Sequence, residues 1–166
     1  APASWRDLSL QDGGRSLVEA SAGTGKTWTI SVLYLRMLLE RELDPTRIVV
    51  TTFSEATAQE LRERIRARVV WATRQARDVL GGTRTVATAP GETDADWLRD
   101  RWNAGAAADC ARIEADVNRL RLAEAELDRA PIGTLHALCR KILADFPFDS
   151  GVAFDPGELI PNEALQ

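Results

Sequence analysis

Residues Leu17-Val18-Glu19-Ala20-Ser21-Ala22-Gly23-Thr24-Gly25-Lys26-Thr27, followed by an apolar run from Trp28 to Leu39, constrain this chain more than any other stretch. Small side chains from Ala20 to Gly25 let the backbone curl closely around an anion and present many N–H groups to it. Gly25-Lys26-Thr27 is the end that a phosphate-binding loop requires. The lysine reaches the outer phosphates as a compact charge, and the hydroxyl can ligate a magnesium ion shared with them. The first glycine of the usual pattern is replaced by Ala20. Leu17-Val18 suits a short strand over about 16–20, and 26–41 suits a helix that is apolar almost all round over 30–39. Strand, loop and helix then follow in the necessary order, with the helix amides and dipole aimed at the bound anion. The expected nucleotide contacts are Ala20, Ser21, Ala22, Gly23, Thr24, Gly25, Lys26 and Thr27. Lys26 and Thr27 are the catalytic pair among them, and Thr27 is the magnesium ligand. A small-residue turn that happens to contain Gly-Lys-Thr is the alternative.

Two more strand-to-helix turns follow. Arg47 to Phe53 is β-branched and bounded by turn chemistry, as a buried strand should be. Ser54 is a good N-cap for the next helix, in which Ala58, Leu61, Ile65, Val69 and Ala72 repeat at helical spacing to about 75. Ile132 to His136 reads as a short strand entering a helix over Ala137–Phe146. Between these, 81–93 has no periodicity and reads as a loop, while 94–129 is helical with a break at Asn103-Ala104-Gly105. A further strand is expected at Glu158-Leu159-Ile160. The order predicts an α/β chain with a parallel sheet flanked by helices, carrying a helical insertion. Residues 1–75 and 131–166 would form the sheet-bearing part, and 76–130 the insertion. In such sheets ligands bind beyond the carboxyl ends of the strands, so all three turns are expected on one rim.

Composition narrows the partners. The formal charge is −4, which excludes a generally basic nucleic-acid binder but not a basic local groove. Lys26 and Lys141 are the only lysines in a chain that otherwise uses arginine. Arg36, Glu40 and Arg41 interrupt the most apolar run, so no membrane span is expected. Cys110 and Cys139 lack metal spacing, which fits a reduced, cytoplasmic setting.

With the three turns assembled, the chain resembles superfamily 1 helicases of the UvrD/Rep type. Residues 17–27 look like the family's motif I, and Val49 to Ile65 is similar to its motif Ia. Ile132-Gly133-Thr134-Leu135-His136 resembles its Gly-Thr-Phe-His segment, with Leu135 where an aromatic residue is usual. Glu19-Ala20-Ser21-Ala22 points to the RecB branch, the beta subunits of exodeoxyribonuclease V. The resemblance implies a RecA-like phosphate-loop subdomain in an ATP- and Mg²⁺-dependent DNA helicase and exonuclease subunit of recombination and double-strand-break repair. It implies single- and double-stranded DNA and the other subunits of such a complex as partners. It also makes Thr52, Phe53, Ser54, Thr134 and His136 DNA contacts, and Gln11 a weaker adenine contact because its spacing to Lys26 is short. An exposed aromatic can stack on an unpaired base, and hydroxyls at helix starts can hold phosphates. Plainer roles stay open: Phe53 in a core, Ser54 and Thr134 as helix caps, His136 as a hydrogen-bonded helix-start residue. Arg62, Arg64, Arg66 and Arg68 read as a solvated helix face.

Hydrolysis in this class needs an acidic pair after an apolar strand. None is found, since Ile142-Leu143-Ala144-Asp145 lies in a predicted helix and lacks the glutamate. The 166 residues are therefore expected to be an N-terminal portion of such a helicase, with turnover near background on their own. Two other classes remain: a different phosphate-loop enzyme such as a kinase or GTPase, and a non-catalytic interaction module. The guanine-reading Asn-Lys-x-Asp of GTPases is absent, and intact Lys26 and Thr27 speak against a degenerate loop.

Overall fold

A computed structural model describes residues 5–6, 8–10, 14–19, 25–82, 94–103 and 110–145. Its helices are α1 (Lys26–Glu40), α2 (Glu55–Leu80), α3 (Asp94–Asn103), α4 (Cys110–Glu126) and α5 (Leu135–Asp145). Its strands are β1 (Val50–Thr52) and β2 (Ile132–Thr134), which pair in parallel with Val50 opposite Ile132 and Thr52 opposite Thr134. The long return from β1 to β2 contains α2, α3 and α4, as parallel pairing requires.

The apolar stripe of α2 is buried as its spacing predicts: Ala58, Leu61, Ile65, Val69, Ala72 and Ala76. It meets Leu35, Leu38 and Leu39 of α1 on one side and Ile113, Val117, Leu120 and Ala123 of α4 on the other. Leu98 and Trp102 of α3 close the same cluster. Among the described residues the core is therefore a helical layer with α2 in the middle, and the sheet stands at its edge through Ile48 and Ile132. Helices 94–103 and 110–126 share that core, and the break expected at Asn103-Ala104-Gly105 reaches outside the described residues.

Two expectations fail on the described residues. The buried strand expected over Arg47–Phe53 shortens to Val50–Thr52, because Pro45–Arg47 closes a 3-10 turn, and Val49 is 53 % exposed at the edge of the helical core. Residues 16–19 are not in a strand, and Leu17 is 83 % exposed. A strand needs a neighbour to complete its ladder, and the described sheet holds two strands, β1 and β2, that pair with each other. α2 also runs on to Leu80, past the expected end near 75, and α5 starts at Leu135. Ala20 to Thr24, Gln11 and the strand expected at 158–160 lie outside the described residues.

The opening segment is tied down by α1. Buried Arg36 forks onto Glu40 and donates to the carbonyls of Trp5 and Leu8. The Trp5 ring meets Trp28 and Trp97 edge-on, at centroid distances of 5.8 and 6.4 Å. A second polar centre lies at Asp116 of α4, 1 % exposed. Its carboxylate accepts from Arg101 Nε at 2.7 Å and from Trp102 Nε1 at 2.9 Å, while Arg101 also donates to the Leu39 carbonyl. Helices α3 and α4 are thus held to α1 by paired polar groups as well as by apolar contact.

Candidate nucleotide and nucleic-acid site

Gly25 is the N-cap of α1 and has φ 86° and ψ 23°, a left-handed conformation that costs a side-chain-bearing residue about 1–2 kcal/mol. The first helical bond runs from Thr29 N–H to the Gly25 carbonyl at 2.8 Å. The amides of Lys26, Thr27 and Trp28 precede it and have no intrahelical acceptor. They converge with the dipole of a 15-residue helix. A recess of about 330 Å³ opens there, lined by Gly25, Lys26, Thr27, Trp28 and Arg64.

Arg64 was not expected in this recess. It enters from α2 while its Nε lies 2.9 Å from Glu60 Oε1. Arg68, one turn on, sits over the Trp28 ring at 5.3 Å. Arg62 and Arg66 leave the opposite side of α2: Arg62 donates to the Ile132 carbonyl, and Arg66 pairs with Asp128. The solvated face expected for these four arginines is therefore corrected for Arg62, Arg66 and Arg68, which are half-buried, while Arg64 is exposed. Residues two apart on a helix differ by about 200°, so the series alternates between two flanks, each packed against another element. That spacing was the available signal.

The other two turns lie side by side at the carboxyl end of the sheet, because Thr52 and Thr134 are register partners. Phe53 is 98 % exposed, which removes the core alternative for it. The Ser54 hydroxyl caps α2, accepting from Thr57 N–H at 3.2 Å. Thr134 is 7 % exposed. Its hydroxyl donates to Glu55 Oε1 at 2.9 Å and accepts from Ala137 N–H at 3.2 Å, so it caps α5 and ties the two turns together. His136 is exposed in the first turn of α5. Glu55, as the partner of Thr134, is a further contributor that spacing alone does not reveal. Arg64, which lines the recess at Gly25, lies ten residues or about 15 Å along α2 from the Ser54 cap, so the single rim expected for all three turns is not seen among the described residues.

A left-handed glycine opening a helix with Lys-Thr, facing a cation from the helix after the next strand, is joined by a sequence match. The UvrD/REP helicase N-terminal domain family matches residues 3–162. The chain belongs to that family. Among curated relatives it is 37 % identical over 156 residues to the RecBCD enzyme subunit RecB of Haemophilus influenzae, covering 90 % of this chain. It is 34 % identical over 164 residues to RecB of Escherichia coli K12, covering 92 %, and 34 % identical over 145 residues to RecB of Mycobacterium tuberculosis, covering 87 %. The chain spans about 12 % of the length of each of these relatives. Membership in the UvrD/REP helicase N-terminal family agrees with the α/β character seen here, a small parallel sheet beside an extensive set of helices. Among the described residues no helix is long and apolar enough to cross a membrane, and no group of His, Cys, Asp and Glu could hold a metal ion.

Proposed function

We propose that this chain forms the nucleotide-binding part of an ATP-dependent DNA helicase subunit of the RecB kind. Its fold would be a RecA-like subdomain carrying residues 76–130 as a helical insertion. Its work would belong to exonuclease-coupled recombination and double-strand-break repair in the cytoplasm, alongside other subunits. The single observation that carries this is the recess at Gly25, Lys26, Thr27 and Arg64. Its donor set is two cationic side chains, a hydroxyl and helix-start amides, which suits a polyphosphate with bound magnesium.

Lys26 and Arg64 would hold the outer phosphates, the amides after Gly25 would hold the inner ones, and Thr27 would ligate Mg²⁺. Bound MgATP would supply the energy of γ-phosphoryl transfer. On the DNA side, exposed Phe53 would stack on an unpaired base, with Thr52, Ser54 and His136 beside it. Thr134 would act by fixing the geometry of both turns, since its hydroxyl is already engaged on both sides.

Calorimetric titration with ATP, with and without magnesium, tests the nucleotide reading. The 166-residue chain should bind MgATP, and Lys26→Ala should weaken binding at least about tenfold, the loss of one charge-assisted contact. Equal affinity in both proteins would refute the assignment.

A further inference from the structure

We propose that the groove between α2 and α4 lined by Arg66, Arg77 and Arg121 is a second contact for the phosphodiester backbone of nucleic acid. It rests on the proposal that this chain handles DNA, but shares no residue with the turns at the sheet edge. The groove encloses about 410 Å³ and is lined by Arg66 and Arg77 of α2 and by Arg121, Glu124 and Ala125 of α4. Several guanidiniums of the chain are paired with carboxylates: Arg36 with Glu40, Arg64 with Glu60, Arg99 with Asp96, Arg101 with Asp116 and Arg119 with Glu42. Among the described residues Arg77 and Arg121 have no carboxylate partner. Arg66 is held by Asp128, whose side chain is 77 % exposed, a screened pair that a phosphate can displace at little cost.

Spacing fits a nucleic-acid strand. Arg66 and Arg77 are eleven residues apart on α2, about three turns and about 16 Å, so they share one face. That length covers about five nucleotides at about 3.4 Å each. The other polyanion to consider is an acidic protein segment. A protein interface draws its energy from buried aromatic or aliphatic anchors, and the apolar side chain in this lining is Ala125. Phosphate contacts need no such anchor. Glu124 faces the same groove and opposes an anion there, which gives the proposal a second, opposite-signed test.

The test is fluorescence anisotropy on the 166-residue chain over a salt series. One probe is a single-stranded oligonucleotide and the other a duplex with a single-stranded tail. Arg77→Ala/Arg121→Ala should weaken binding and reduce the salt slope by about two, one for each lost phosphate contact. Glu124→Gln should tighten binding a few-fold, an effect that a solvated surface would not give. Loss on both probes means that the single strand runs in the groove, whereas loss on the tailed duplex alone means that the duplex does; either supports the proposal. Unchanged affinity and slope in the double variant, with Phe53→Ala still weakening binding, would overturn the groove and leave the sheet-edge turns standing. No binding by the unsubstituted chain at low salt would overturn both. A double variant that loses binding of a polyglutamate peptide but not of DNA would assign the groove to acidic protein and overturn the proposal.

Discussion

Replacing Arg64 by alanine separates a phosphate ligand from a surface charge, because the two roles predict different magnitudes. Its side chain and that of Glu60 are 54 % and 51 % exposed, and they pair four residues apart on α2. Such a screened pair is worth about 0.3–0.5 kcal/mol, so folding stability should fall by no more than about that. A guanidinium bonded to a phosphate contributes about 1.5–3 kcal/mol net. Release from Glu60 removes about 0.4 kcal/mol of this, leaving about 1–2.5 kcal/mol for the nucleotide. Affinity for MgATP should then fall about 5- to 70-fold. Calorimetry with ATP, and with adenosine as a ligand lacking phosphate, provides the comparison. Adenosine binding should be unchanged, and Arg64→Lys should lie between, since it keeps the charge but not the fork. An ATP affinity within twofold of the parent, or an equal loss for adenosine, would refute the placement of Arg64 on the phosphates.

Two other perturbations probe the scaffold. Asp116→Ala strands Arg101, whose side chain is 18 % exposed, and the Trp102 N–H; it should cost about 3–5 kcal/mol in urea denaturation, while adding Arg101→Met should restore part of that. A loss under about 1 kcal/mol would show that the cluster is not a fastening. Burial raises the Tyr34 phenol above its ordinary value, so the folded state keeps a proton that the unfolded state releases. Its contribution is complete below about pH 10, and stability should then fall by about 1.4 kcal/mol per pH unit on rising toward the folded-state value. Tyr34→Phe should remove that part of the alkaline slope, and an identical slope in thermal melts would contradict it.

Much of the framework could be read locally. The stripe from Ala58 to Ala72, the Ser54 cap and the strands ending at Thr52 and Thr134 all depend on neighbours within a few residues. What could not be read depends on partners far along the chain. Leu17-Val18 has strand composition, but composition does not supply a neighbouring strand. The position of the sheet at the edge of a helical core likewise follows from which helices meet α2, not from any one of them. The grouping of Gly25, Lys26 and Thr27 at one recess could be anticipated because a phosphate-binding loop would dictate their types and order. Arg64 could not, because charge on a helix reads as solvation unless its angular position is followed. Asp116 carried a usable signal: it interrupts the apolar stripe between Ile113 and Val117, and a carboxylate in that place requires buried donors.

The length of α2 bears on how chemistry at one end could be felt at the other. Its 26 residues make a rod about 39 Å long, with Ser54 about 15 Å to one side of Arg64 and Leu80 about 24 Å to the other. Tilting that rod by about 5° about the Arg64 level would swing the Ser54 cap by roughly 1.3 Å and carry Leu80 roughly 2.1 Å the opposite way. The nearer figure is comparable with the smallest helix shifts that proteins use for signalling, so departure of a phosphate could loosen or tighten a grip at Phe53 with no change inside the helix itself.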